Sequence, residues 1–382
     1  MKVPQLCIAL SSFPFRLPLL SHAYRTLRNS FFLLFAFSSS LVAVPLTDSN
    51  FQTAVNLWFS DEANATATYG HIKDWNTSAV TNMSFAFKDR INFDENITGW
   101  DVSNVTNMNN MFRNSRSFNQ PIGNWNTGKV TDMTSTFNNS KTFNQSVGSW
   151  NTSSVTSMGG MFDNAAAFNQ LIDDWNTTSV TAMGGMFNND NSLSNTHKGL
   201  IHSSFSSNPN WTYDWSAHVP APAALTNSNF QTAVNLWCSD KATAFSTYGH
   251  IKDWNVTGVT NMEDAFKEKT SFDDNISEWD VSNVANMHGM FEGAATFNQP
   301  IGDWNTSAAT NMSAMLYGAS AFNNSIANWN VSSVANMSYL FEGASSFNQP
   351  LNNWDTSSAT QMISMFKNAN SLSNSNKGET HK

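Results

Sequence analysis

The chain predicts an α/β repeat fold: a solenoid of 25-residue rungs, each a short strand plus a helical turn, in two tandem five-rung arrays with N-terminal helical caps. Three observations carry this reading. Tryptophan recurs every 25 residues, from Trp75 to Trp175 and again from Trp254 to Trp354. A fixed period in this range marks one supersecondary unit stacked on its neighbours. Other apolar positions keep the same period: an aliphatic residue three before each Trp (Ile72, Ile97, Ile122), a Met eight after it (Met83, Met108, Met133) and a Phe twelve after it (Phe87, Phe112, Phe137). Finally, the whole block is duplicated. FQTAVNLW at Phe51 returns at Phe230, and YGHIKDWN at Tyr69 returns at Tyr248, both displaced by 179 residues.

Residues 1–43 resemble a secretory signal peptide, or a signal anchor if uncleaved, because FFLLFAF at Phe31 follows a basic stretch and precedes small residues. The apolar stretch is shorter than the ~20 residues that span a bilayer, so cleavage is the expectation. Module 1 covers 44–199. Its cap helix, about 50–59, is predicted by Phe51, Ala54, Val55 and Trp58 at i, i+3, i+4 and i+7, with Ser49 and Gln52 at capping-box spacing. The rungs run from about 70 to 193. Within one, Val105, Met108, Met111 and Phe112 have helical spacing, with Ser103 as N-cap, and Ile97–Trp100 suits a strand. Asn and Asp after each Trp and after each last Phe build tight corners. Each rung carries about six large apolar side chains, and burying one contributes roughly 1.5–3 kcal/mol, so only a stacked array covers its backbone entropy.

Residues 200–224, rich in Ser, Asn and Pro, read as a linker in which Trp211, Tyr213 and Trp215 dock somewhere. Module 2 covers 225–382, with a cap helix at about 229–238 and rungs at about 249–372.

Only 12% of residues are charged, and Asn, Ser and Thr supply the polar surface, a composition that suits extracellular or glycan-rich settings. Without the leader, 15 Lys and Arg face 28 Asp and Glu. That acidity argues against nucleic-acid partners and against docking on anionic lipid, leaving an N-terminal anchor as the one membrane link. Of the two cysteines, Cys7 leaves with the leader and Cys238 stands where module 1 has Phe59, as a small packing residue. N-x-S/T triplets are abundant; those in rung corners are poor glycan acceptors, and Asn64 and Asn210, outside the rungs, are the candidates for N-glycosylation.

No nucleophile elbow, phosphate-cradling glycine loop, HExxH or CxxC pair occurs, and the histidines lack metal-ligand spacing; His71 and His250 read as parts of the caps. The expectation is therefore no catalytic residues, no metal and no cofactor. The runs WDVSNVTNMNNMFRNSRSFNQPI and WNTSSVTSMGGMFDNAAAFNQLI resemble the 25-residue repeat of BspA-like surface proteins, the Mycoplasma-type repeat. The resemblance covers about residues 70–193 and 249–372. It implies a leucine-rich-repeat-like solenoid on secreted or surface-anchored proteins, sometimes linked to adhesion. The chain has no lipobox Cys after the leader.

The functional expectation is a secreted or cell-surface binding module. It would meet a protein or glycan through variable positions such as Arg113, Ser115 and Arg116 in one rung and Asp163, Ala165 and Ala166 in another. The rival is a passive coat protein, including an ice- or mineral-facing surface built from rows of Thr (Thr77, Thr127, Thr152, Thr177). A polysaccharide-acting enzyme comes third.

Overall fold

In the computed structural model, residues 43–189 and 192–376 are described; the leader expected over residues 1–43 falls outside them except for Ala43. Module 1 opens on two helices, α1 (Phe51–Ser60) and α2 (Glu62–Tyr69), followed by a 3-10 turn at Ile72–Asp74. The expected cap helix is there, but the capping box is not. The N-cap is Asn50, whose side chain turns back to accept from Thr47 N at 2.8 Å, while the Ser49 hydroxyl bonds Thr47 Oγ1. Helix α2 was not legible by periodicity, because only Ala65 is buried along it; Asp61 caps it by accepting from Asn64 N. In module 2, α4 (Phe230–Ser239) and α5 (Lys241–Tyr248) repeat this arrangement; α3 (Asn195–Phe205) lies between the modules. A two-stranded parallel pair, β1 (Ala224–Thr226) with β2 (Asn255–Gly258), ties the entry of module 2 to its first repeat.

The repeats themselves correct the expected strand and helical turn. Ile97–Trp100 is a turn closed by Trp100 N donating to Ile97 O, and Val105–Phe112 forms no helix. Ser103 N instead donates to Asp101 Oδ1, an Asx corner rather than an N-cap. The reason is where the backbone finds its partners. Met108, Asn110, Phe112 and Asn114 donate to Asp132, Thr134, Thr136 and Asn138 of the next repeat, all within 2.8–2.9 Å. The alternate residues Met111, Arg113 and Ser115 donate three residues back. Every second amide is thus spent on the neighbour, which no α-helix allows. Regular pairing is reduced to single parallel bridges, Asn82 to Asn107 to Asp132 to Ser157 to Ala182, and Asn261 through to Gln361 in module 2.

This turn ribbon needs a left-handed residue twice per repeat, ten and fourteen positions after the Trp. Asn110 and Asn114, Ser135 and Asn139, and Gly160 with Asn164 fill these places with φ between +55° and +62°. Asn and Gly tolerate that conformation best.

The periodic apolar residues are buried, as their spacing required: the ten Trp, nearly all of the Met and the paired Phe line one column per module. Within a repeat, Phe137 stacks on Phe143 at 3.9 Å; between repeats it lies 5.5 Å from Phe112 and 5.6 Å from Phe162. The indoles do more than pack. Trp100 Nε1 donates to Ile72 O at 2.8 Å and Trp175 Nε1 to Val147 O at 3.0 Å, so these N–H groups stitch their repeats to the ones before, whereas Trp125 Nε1 is buried without a partner.

The segment 200–224 is not a bare linker. Ser194 caps α3, which buries Ile201 and Phe205 in the first module's core and Leu200 in the second's. Trp211, Tyr213 and Trp215, at alternate positions, close over Phe187 at 6.2, 5.9 and 5.4 Å. Asn208 Nδ2 donates to Thr177 O and Val180 O. The last repeat of module 1 is capped, and Ala43–Lys382 forms one compact unit.

Candidate functional site

A binding surface on such an array must come from side chains that the stacking does not consume, and most rows are consumed. Thr77, Thr127, Thr152 and Thr177 are buried. The first three donate Oγ1 to Asp101 O, Asn151 O and Asn176 O of the following repeat. The threonine lattice expected for an ice- or mineral-facing surface is therefore internal. A second row, Thr81, Thr106, Thr131, Thr156 and Thr181, is exposed, but from Thr106 onward each hydroxyl is spent on the preceding threonine's carbonyl at 3.1–3.3 Å. A third edge is an amide ladder. Asn119 N donates to Asp94 Oδ1, Asn144 N to Asn119 Oδ1 and Asn169 N to Asn144 Oδ1.

The turn ribbon is different. Positions nine, ten and thirteen after each Trp vary from repeat to repeat; Asn110, Ser313, Ala314, Ser338 and Glu342 there are buried, but the same positions hold four of the six exposed large hydrophobic residues among the described ones: Phe85 (47% exposed), Tyr317 (40%), Tyr339 (40%) and Ile363 (61%). Two of these, Phe85 and Tyr339, are aromatic rings at left-handed positions, with φ of 60° and 64°. Neither Asn nor Gly stands there, so the backbone carries strain that the core does not require. Accordingly, Tyr339→Asn is expected to stabilise the fold by about 1 kcal/mol. A lower midpoint in urea denaturation would show that the ring holds the repeat together instead.

Of the variable positions read from sequence, Arg113 and Arg116 are exposed, and Asp163 and Ala166 half-buried. Ser115 and Ala165 are not available: both are buried, and Ser115 Oγ donates to Phe87 O at 2.6 Å. The position is a small inward one, Ser or Ala in seven of ten repeats (Ser115, Ser140, Ala165, Ala294, Ala319, Ala344 and Ala369), and reading one repeat at a time mistook it for a variable one. Asn64 is exposed on the first turn of α2. Asn210 is half-buried, and its amide nitrogen donates to Val180 O at 3.3 Å, so the atom that would carry a glycan is engaged. Cys238 is exposed rather than a packing residue.

The other concentration of chemistry is where the modules meet. Lys241, the first residue of α5, reaches Asp173 at 3.3 Å, Asp174 at 2.7 Å and Asp274 at 3.0 Å. Trp237 Nε1 donates to Asp274 Oδ2, and the ammonium lies 5.3 Å from the Trp237 ring centroid. Burial pushes the Asp173 carboxyl up to about 6 despite Lys241, and raises Asp274 as well. Burial alone would lower Lys241, but the carboxylates around it raise it overall. Nearby, His250 is buried against Trp237 at 5.1 Å, and desolvation pushes its imidazole down to about 3. Its Nδ1 accepts from Lys252 N, as His71 Nδ1 accepts from Lys73 N, which agrees with reading both as cap residues. Lys241 holds this cluster together by charge, with its ammonium already spent on three carboxylates. Among the described residues, no group of three or more His, Cys, Asp or Glu is arranged to hold a metal ion.

The model of the family described as "Mycoplasma protein of unknown function, DUF285" matches residues 53–149, 121–209, 235–329 and 300–381. Two matches fall on each copy of the block, and together they span most of the chain, which therefore belongs to this family of tandem repeats. Neither curated proteins nor solved structures give a match.

Proposed function

We propose that this DUF285 protein is a non-enzymatic binding module, secreted or displayed on the cell surface, that grips a protein or glycan through its turn ribbon. In this reading the stacked repeats form a leucine-rich-repeat-like solenoid of the kind found in BspA-like surface proteins, with residues 1–43 as the secretory leader. The observation that carries it is that the turn ribbon holds Phe85, Tyr317, Tyr339 and Ile363 exposed, two of them, Phe85 and Tyr339, at left-handed positions. Large apolar groups held in water against local backbone preference are what recognition surfaces use. The threonine and amide rows, by contrast, satisfy their own repeats, which leaves the coat-protein reading without an outward lattice. Among the described residues, no helix is long and apolar enough to cross a membrane.

Two measurements test this. Protease added to intact cells that make the protein should degrade it before lysis. The labelled full chain should bind those cells or their neighbours, and Tyr317→Ala with Tyr339→Ala should reduce binding at least tenfold, whereas Thr131→Ala on the threonine row should not. Equal binding by both variants would remove the turn ribbon from the proposal.

A further inference from the structure

Resting on that reading and sharpening it, we propose that the Tyr317–Tyr339 face of module 2 is a carbohydrate platform that stacks the pyranose rings of an uncharged, extended polysaccharide. Tyr317, Glu342 and Lys367 occupy the same position in three successive repeats, and Tyr339 stands three positions earlier in the middle one. Backbone bonds fix this order: Gly293 N donates to Tyr317 O, Gly318 N to Glu342 O and Gly343 N to Lys367 O, each at 2.8 Å. The row therefore advances by one residue per repeat, at the roughly 4.8 Å spacing of paired strands. Three glycines, Gly293, Gly318 and Gly343, fill the adjacent left-handed positions where module 1 has Asn114, Asn139 and Asn164. Beside the rings, Gly318 and Gly343 carry no side chain and a Cβ there would have ordinary space, while the Glu268 carboxylate lies against Gly293 at the start of the strip.

Three features select a neutral sugar polymer. A tyrosine offers an apolar ring face with a polar rim, which matches the C–H face and hydroxyl edge of a pyranose. The charges at the ring position are paired, Lys367 Nζ with Glu342 Oε1 at 2.6 Å and Lys267 Nζ with Glu292 Oε2 at 3.1 Å, and Lys367 lies within electrostatic reach of both phenols. A polyanion or polycation gains little from such a pair. Lastly, the hollows beside Phe230 and beside Phe245 are lined by neither tyrosine, and the proposal lays the ligand along the row of repeats.

The test uses the full chain and a defined panel: the hexaoses of β-1,4-glucose, β-1,3-glucose, β-1,4-N-acetylglucosamine and mannose, with polygalacturonate as the charged control, read by isothermal titration and ligand-detected NMR. At least one neutral hexaose should bind. Tyr317→Ala and Tyr339→Ala should each weaken it at least tenfold, while Thr131→Ala, whose hydroxyl is spent on Thr106 O, should leave it unchanged. Tyr317→Phe should retain most of the affinity. Binding by none of the neutral hexaoses, binding only to polygalacturonate, or indifference to both tyrosines would overturn the proposal. Should labelling of whole cells depend on these tyrosines yet survive periodate oxidation of the cell glycans, the carbohydrate inference fails while the recognition face stands. Should labelling ignore them, both fall.

Discussion

Phe137→Ala is expected to destabilise module 1 by about 3–5 kcal/mol, one of the two largest single-residue effects in the chain. Its ring is fully buried, stacked on Phe143 within its own repeat and between Phe112 and Phe162 of the flanking ones. Truncation removes the ring from water-excluded packing and leaves a hole bounded on two sides by neighbouring turns. Those turns cannot collapse inward, because Phe112 N and Phe137 N are fixed to Thr136 O and Met161 O. An array of this kind transmits damage mainly to adjacent repeats. Hydrogen exchange should therefore show protection lost first around residues 112–168, with module 2 little altered. Urea denaturation that shifts by less than about 1 kcal/mol would mean that the phenylalanine column is not the stabilising element.

The column was legible in the sequence because it depends on identity: a residue that must meet its own copy every 25 positions has to stay the same, and Trp and Met did, as did the Phe twelve after the Trp in every repeat but one, where Leu316 stands. The cap helices α1 and α4 were legible for a similar reason, since a buried stripe at Phe51, Ala54, Val55 and Trp58 has helical spacing. The path of the backbone was not. Val105, Met108, Met111 and Phe112 are buried at helical intervals, yet the amides between them bond the next repeat. Periodicity records which side chains point inward and is blind to whether an N–H finds its partner three residues back or twenty-four residues on. The left-handed pair per repeat was the available signal: position fourteen after the Trp is Asn, Asp or Gly in nine of ten repeats, a preference that a helix would not impose. The binding face was hidden for the opposite reason to the column. Its residues Tyr317 and Tyr339 differ from their counterparts in the neighbouring repeats, whereas Ser115 and Ala165 belong to a small, buried position that recurs as Ser or Ala.

The joint between the modules was also written in differences. Lys241 corresponds to Glu62 in the first copy, buried Phe245 to exposed Thr66, and Asp173 and Asp174 to Asn352 and Asn353 at the far end of the second. Aligning the copies for their similarity hides these positions. Taken together they are a complementary set: a cation and a ring on the inner cap, two carboxylates on the repeat it meets, and uncharged or mismatched residues on the two outer ends. Such complementarity directs one module onto the other.

Lys241→Met is accordingly expected to cost about 3–5 kcal/mol, because it leaves buried carboxylates without their cation while keeping the bulk of the side chain. The loss should depend on pH in a definite direction. Asp173, already pushed up to about 6 in the fold, binds a proton more readily there than in the unfolded chain. Its contribution to stability is therefore fully present below the ordinary carboxylate range and is lost as pH rises through about 6. Without Lys241 to favour the ionised form, that cost grows, so the variant's deficit should be greatest at pH 7–8 and shrink towards pH 4–5. Adding Asp173→Asn and Asp274→Asn to the variant should restore much of the stability at pH 7.5, which a simple packing defect would not permit. The wild-type chain should unfold with the two modules coupled, and Lys241→Met should separate them into two thermal transitions at pH 7.5. A single unshifted transition for Lys241→Met across pH 4–8 would mean that α3 and the Trp211–Trp215 segment hold the modules together without the charge cluster.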